Sequence, residues 1–284
     1  MAIFSNQATI TYNGITTSSN VAYGEILDVL SATKTVVEAG YTPGSTVTYV
    51  VSLRNTGSVP LTGLIVTDDL GGYPFGTGTV YPLAYVAGSV QLFADGAPQP
   101  APAVTVGPPL VFTGISVPAD GDVVLVYQAT VTDFANPAAD GTIENTVTVT
   151  GDGLSAPITA SATVGTTATP ALSISKSISP GQVVDNDRVT YTFVIQNTGN
   201  TPVDATDDAS ITDVFDPILS ALTVVFNGAS WAAGTNYTYN GTTGEFTTLP
   251  GQITVPAATI AQDPTTGVYT LTPGVATLTV TGTI

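Results

Sequence analysis

One pattern occurs twice in this chain, and that repeat limits the fold more than any other feature. Setting Lys34 on Lys176 brings Val47-Thr48-Tyr49 onto Val189-Thr190-Tyr191 and Asn55-Thr56-Gly57 onto Asn197-Thr198-Gly199. After a short insertion, Val66-Thr67-Asp68 meets Ile211-Thr212-Asp213. A repeat of this length means two copies of one domain rather than a solenoid of short units. The 284 residues suit two domains of ordinary size.

Each copy reads as β structure. VTYVVSLRNTG and VTYTFVIQNTG alternate or run apolar, then stop at Asn-Thr-Gly, a turn signal. LTGLIVTDDL, AGSVQLFADG, VVLVYQATV and TVTVTGDG continue at the spacing of a β-sandwich. The 29 Gly and 20 Pro are spread along the chain, so no helix longer than a turn or two is expected. A 43% hydrophobic content gives each copy enough to bury a core. The stretch 165–170, GTTATP, reads as the linker.

Absences narrow the function. The chain has no His and no Cys, which removes Ser-His and Cys-His nucleophile pairs and the usual zinc sites. Four Lys and Arg cannot neutralise a phosphate backbone, so no nucleic-acid partner is expected. No Gly-rich phosphate loop opens a helix, and no apolar run is long enough for a membrane span. No cofactor, no metal and no enzyme activity on another molecule is expected. The net charge of −17 should keep a repetitive β protein soluble by self-repulsion.

The motif series SATKTVVEAGYTPGSTVTYVVSLRNTGSVPLTGLIVTDDL, with GTIENTVTVTG later, resembles the conserved repeat domain of bacterial and archaeal surface proteins catalogued as domain of unknown function number eleven. The second copy resembles it through LSISKSISPGQVVDNDRVTYTFVIQNTG and ITDVF. The resemblance implies an immunoglobulin-like sandwich in a cell-surface or appendage setting, and it implies no enzyme activity.

The two ends read as two halves of one domain. Asn6-Gln7-Ala8-Thr9-Ile10-Thr11-Tyr12-Asn13-Gly14 aligns with Asn145-Thr146-Val147-Thr148-Val149-Thr150-Gly151-Asp152-Gly153, the final strand of the first copy. In the second copy, Ile253-Thr254-Val255-Pro256-Ala257 matches Ile115-Ser116-Val117-Pro118-Ala119, and Ala276 to Ile284 matches Val123 to Val131. The first copy continues beyond Val131 to its Asn145 strand, whereas the second stops at Ile284. The expected architecture is therefore all-β: two tandem immunoglobulin-like β-sandwich domains with an N-terminal donor strand. Residues 1–30 form the donor strand or hairpin, 31–166 the first module, and 167–284 a second module lacking its last strand. A free strand with Ala8, Ile10 and Tyr12 on one face can fill such a gap in another copy. The expected partner is the chain itself, joined head to tail by Asn6, Ala8, Ile10 and Tyr12. A heterologous joint of this kind makes filaments unless rotation closes it into a ring. A plain leading hairpin belonging to the first module is the alternative.

Lys34 and Lys176 are the only lysines and occupy equivalent positions. Asp68 and Asp213 repeat mid-domain, and Asn145 and Asn6 open the two final strands. A first-strand Lys, a mid-domain acid and a last-strand Asn is similar to the pattern of pilin domains with spontaneous isopeptide bonds. That likeness implies a bond from Lys34 to Asn145 assisted by Asp68, and one from Lys176 to Asn6 of the next subunit assisted by Asp213. A salt bridge or a solvated Lys is the plainer alternative.

Other groups carry rival readings. Asp204, Asp207, Asp208 and Asp213 crowd one loop as calcium ligands would, or as a solvated acidic loop does. Trp231, Tyr237 and Tyr239 suit a carbohydrate platform, or core and cross-strand aromatics. The expected function is a structural subunit of an extracellular, pilus-like filament; the alternative is a monomeric surface adhesin or ligand-binding stalk module. Met1-Ala2-Ile3-Phe4 shows no signal-peptide pattern, so the export route to the surface is open.

Overall fold

The computed structural model describes residues 2–26 and 28–284. Met1 and Leu27, both inside the 1–30 donor segment, lie outside the described residues. The chain divides into two compact units: one runs through Asn136 and takes in Gly141–Gly165, the other holds Pro137–Asp140 and Thr166–Ile284. Among the described residues the only helix is a 3₁₀ turn, Ala205–Asp207.

The first unit opens with an extended hairpin. Strand β1 (Ala2–Asn6) pairs with β4 (Ala22–Ile26), and β2 (Thr9–Tyr12) pairs with β3 (Ile15–Ser18). Asn13 and Gly14 turn it at φ 48° and 77°, the left-handed pair that suits a two-residue hairpin loop. The ladder shifts by one residue between Asn6↔Ala22 and Thr9↔Ser18. Phe4, Ile10, Tyr12, Ile15 and Tyr23 are all exposed, an apolar surface that hairpins of soluble domains normally bury.

The first module follows with β5 (Leu30–Val36), β6 (Thr46–Asn55), β7 (Leu61–Asp68), β8 (Tyr73–Phe75), β9 (Gly78–Val80), β10 (Leu83–Tyr85), β11 (Gln91–Ala94), β12 (Ala97–Gln99), β13 (Ala103–Thr105), β14 (Leu110–Val117), β15 (Asp122–Val131), β16 (Thr142–Thr150) and β17 (Ile158–Gly165). One sheet runs β12-β11-β15-β6-β5, with β10 also on β15; the other runs β13-β14-β7-β16-β17. Period-two alternation explains the core. On β6, Val47, Tyr49, Val51 and Leu53 point inward, and on β15 so do Val123, Leu125, Tyr127 and Ala129. They meet Val66, Phe112, Val147 and Val149 of the facing sheet in one cluster, the layout of an immunoglobulin-like sandwich.

The second module carries β18 (Leu172–Ser179), β19 (Arg188–Asn197), β20 (Thr212–Val214), β21 (Ser220–Phe226), β22 (Ala229–Trp231), β23 (Tyr237–Tyr239), β24 (Glu245–Thr248), β25 (Thr259–Gln262), β26 (Tyr269–Thr272) and β27 (Gly274–Thr283). Its larger sheet runs β18-β19-β27-β21-β22, its smaller one β20-β24-β23. Registers place the repeats residue by residue. Lys34 faces Val51 as Lys176 faces Phe193, and Tyr127 faces Tyr49 as Val280 faces Tyr191. The two modules are tandem sandwiches of one design.

Each Asn-Thr-Gly turn does more than reverse the chain. Asn55 is buried; its amide donates to the carbonyls of Val59 and Pro118, both at 2.9 Å, and its Oδ1 accepts from Gly57 N–H at 2.9 Å. Asn197 repeats the clamp with Thr201 at 2.8 Å, Pro256 at 3.1 Å and Gly199 at 2.9 Å.

Candidate functional site: two lysine clusters and an open sheet edge

In the first module the three residues of the Lys-Asp-Asn set lie on inward faces of three strands. Asp68 closes β7 opposite Val147 of β16, which puts Asn145, two residues along, on the same inner face. Lys34 reaches Asp68 from β5 in the other sheet, Nζ to Oδ2 at 2.7 Å, with both side chains at 0% exposure. Asp68 Oδ2 also accepts from the Tyr127 hydroxyl, and Oδ1 accepts from Leu70 N–H at 2.7 Å. Lys34 Nζ lies 4.7 Å from the centre of the Tyr49 ring, which stacks on Tyr127 at 5.7 Å.

Burial drives the electrostatics. Loss of solvation pushes the Lys34 amine below its ordinary value, and the charge of Asp68 opposes that shift. Loss of solvation, then the Asp68 charge, pushes the Tyr49 and Tyr127 phenols up. The Asn145 amide lies close enough to pull both phenols back down. Yet neither polar atom of Asn145 completes a hydrogen bond among the described residues, and neither does the Tyr49 hydroxyl. A buried, unsatisfied amide costs about 1–3 kcal/mol per group. The first module thus gathers an amine, a carboxyl group and an unengaged amide in one dry pocket.

The second module brings Lys176 to Asp213 in the same arrangement, as an ion pair. Lys176 Nζ lies 4.6 Å from the Tyr191 ring centre and 5.4 Å from that of Phe215. Here the cluster is open: the Lys176 side chain is 39% exposed and Asp213 18%. Leu172, Ile174 and Ile178 alternate with Lys176 along β18 and are 45%, 56% and 45% exposed. Leu30, the counterpart of Leu172, is buried, because β17 packs against β5. The reason for the openness is topological. Strand β7 lies between β14 and β16, whereas β20, its counterpart, pairs with β24 alone among the described residues.

The N-terminal hairpin begins in a register like that of β16–β17 and shifts by one residue before Thr9, where β16–β17 runs unbroken to Val149. Asn145 faces Ala162 and Ile143 faces Val164 in β16–β17; Asn6 faces Ala22 and Phe4 faces Gly24 in β1–β4. The Phe4 ring covers Gly24, where a Cβ would collide with the ring. A large–small pair thus stands where the first module has Ile and Val. Asn6 belongs to the first unit and Lys176 to the second.

The rival groups have structural partners. Asp204 and Asp207 cap the 3₁₀ turn reciprocally, and no cluster of metal-ligating side chains occurs among the described residues. Trp231 packs on Phe226 with ring centres 4.8 Å apart, and Tyr237 on Phe246 at 5.2 Å. Among the described residues no helix is long and apolar enough to cross a membrane. Sequence reasoning missed Tyr49, Tyr127, Phe4 and the buried role of Asn55 and Asn197. The repeated Val-Thr-Tyr was a usable signal for Tyr49; Tyr127 has no repeated counterpart to reveal it.

No family model and no curated protein matches the chain. Among solved structures it is similar to a C-terminal fragment of the Streptococcus agalactiae major pilin GBS80, at 13% identity and TM-score 0.36, covering 87% of this chain and 86% of that one. It is similar to the Streptococcus pneumoniae pilus backbone RrgB at 12% identity and TM-score 0.33, covering 86% of this chain and 55% of that one. It is also similar to ACE19, the collagen-binding subdomain of an Enterococcus faecalis surface protein, at 12% identity and TM-score 0.32, covering 46% of this chain and 94% of that one.

Proposed function

We propose that this chain is the repeating subunit of an extracellular fibre in which the N-terminal hairpin of one copy completes the second module of the next. The observation that carries this reading is a match at two edges: Asn6 faces Ala22 as Asn145 faces Ala162, and among the described residues β20 pairs only with β24 where β7 also meets β16. Transferring the β16–β7 register sets Ala8 opposite Asp213, Thr9 opposite Thr212 and Ile10 opposite Ile211. The returning strand then lies over β18, as β17 lies over β5, and covers Leu172, Ile174 and Ile178.

Energetics support insertion. Exposed Phe4, Ile10 and Tyr12 each gain about 1.5–3 kcal/mol on burial before ordering costs. The bare edges of β20 and of the hairpin satisfy each other's backbone groups. The joint is heterologous, so repetition gives a filament unless rotation closes it into a ring.

Two isopeptide bonds then lock the fibre, Lys34 to Asn145 within the first module and Lys176 to Asn6 across the joint. In each, the amine attacks the amide carbon, Asp68 or Asp213 moves protons, and ammonia leaves. Docking brings Asn6 to Lys176 and dries the cluster in one step.

Negative-stain microscopy of the chain lacking residues 2–14 tests the assembly. Loss of fibres with both modules still folded supports it. Fibres that persist without the segment would overturn it, and a monomer before and after truncation would return the reading to a surface adhesin or stalk.

A further inference from the structure

The two lysine clusters differ at one buried position, and the difference has chemical content. Tyr127 sends its hydroxyl to Asp68 Oδ2, the oxygen that also takes Lys34 Nζ. At the matching register point of the second module stands Val280. Phe215 supplies a ring there, 4.8 Å from Tyr191, but no hydroxyl. Asp213 has Lys176 and the Val214 N–H as its partners, the latter at 3.0 Å.

We propose that the Tyr127 hydroxyl is a proton relay between Asp68 and the Asn145 amide in the first module, and that the second module, lacking it, forms its joint bond more slowly. This rests on the bond-forming reading above. Three features place Tyr127 for the task. It is fully buried, it already touches the acid, and the nearby Asn145 has both polar atoms unengaged.

The protons balance as follows. One proton passes from Lys34 Nζ to Asp68 Oδ2, leaving a neutral amine and a neutral acid. The acid then donates to the Tyr127 oxygen, and Tyr127 donates to Asn145 Oδ1. The Lys34 lone pair forms the N–C bond to Asn145 Cγ, and the carbonyl electron pair moves to Oδ1, which takes the Tyr127 proton as Tyr127 takes that of Asp68. On collapse the C–Nδ2 bond breaks. The surplus proton of Nζ reaches Nδ2 through Asp68, ammonia leaves, and Oδ1 returns its proton along the relay. The sum is ammonium plus primary amide giving secondary amide plus ammonia, with Tyr127 restored and the one remaining proton left on Asp68, from which it passes to ammonia or solvent. A hydroxyl that passes a proton from acid to carbonyl stabilises charge developing on Oδ1 without a moving water.

The consequence is an order of events. The first module seals itself soon after folding, and the joint stays exchangeable for a time after docking. An early reversible joint lets a misdocked subunit leave before the fibre is fixed.

The test uses the full chain carrying Asn6→Ala, in which the joint bond cannot form, synthesised in a cell-free pulse and weighed intact over time at several pH values. The chain should become one ammonia lighter. Adding Tyr127→Phe, which keeps the ring and removes the relay, should slow that loss by about 10²-fold and change its pH profile. Near-UV circular dichroism checks that the variant folds. Should it not fold, the wild-type chain decides by comparing the two bonds: the Lys34–Asn145 linked peptide should appear before the Lys176–Asn6 one. Equal rates with and without the Tyr127 hydroxyl, or a joint bond that forms first, overturn the relay and leave the isopeptide reading standing. No ammonia loss in any chain overturns both.

Discussion

Lys34 and Asp68 meet at 2.7 Å across the sandwich, from strands in different sheets, and neither side chain reaches solvent. Removing one partner of a buried ion pair strands the other. Asp68→Ala should cost the first module about 3–5 kcal/mol. Asp213→Ala should cost the free chain less than about 1 kcal/mol, because Lys176 reaches water. Denaturant melts separate the two modules. Trp231, the single tryptophan, reports the second by fluorescence, and hydrogen exchange reports the first.

The same cluster sets a pH dependence in Asn145→Ala, where no bond can form. Burial depresses the Lys34 amine, so over the range between its folded value and the ordinary 10.5 the unfolded chain holds more protons. Stability there rises with pH. The Tyr49 and Tyr127 phenols are pushed up from 10.0, so above about 10 the folded state holds more protons and stability falls. The first module should be most stable just below pH 10. A melting temperature falling steadily from pH 7 to 10 would contradict the pKa directions.

Asn55→Ala and Asn197→Ala should each destabilise their module by about 2–4 kcal/mol, since the first removes three hydrogen bonds and the second four, at buried sites. The first should leave Trp231 fluorescence melts unchanged and the second should shift them. A surface turn residue would give a loss under about 0.5 kcal/mol in both.

Ile10→Asp acts on a side chain exposed in the free chain. Folding of both modules should be unaffected, while fibre yield drops by at least about 10²-fold, since a charge would enter the groove beside Ile211. Gly24→Val tests the returning strand. Its side chain would collide with the Phe4 ring and should also weaken assembly. Microscopy and sedimentation read both.

Much of this was legible in the sequence where the two copies keep the same residues. Lys34 with Lys176 and Asp68 with Asp213 marked the clusters, and strand alternation marked the core. The alignment beginning at Asn6 stopped short of Phe4, because Phe4 matches Ile143 only in its place along the strand and its partner Gly24 looks like a turn residue outside a ladder. Tyr127 was invisible for the opposite reason: its counterpart is Val280, so no repeat drew attention to it. The unequal exposure of Lys34 and Lys176 depends on which strands cover β5 and β18, and their local sequences are alike.

In the proposed fibre the joint between subunits runs through Lys176 and Asn6. Fibres boiled in detergent, digested and analysed by mass spectrometry test it most directly. The expected product is a branched peptide in which Lys176 of one copy is joined to Asn6 of another, one ammonia lighter than the two separate peptides. Recovery of both peptides unlinked and at full mass, from fibres that microscopy shows to be intact beforehand, would contradict it.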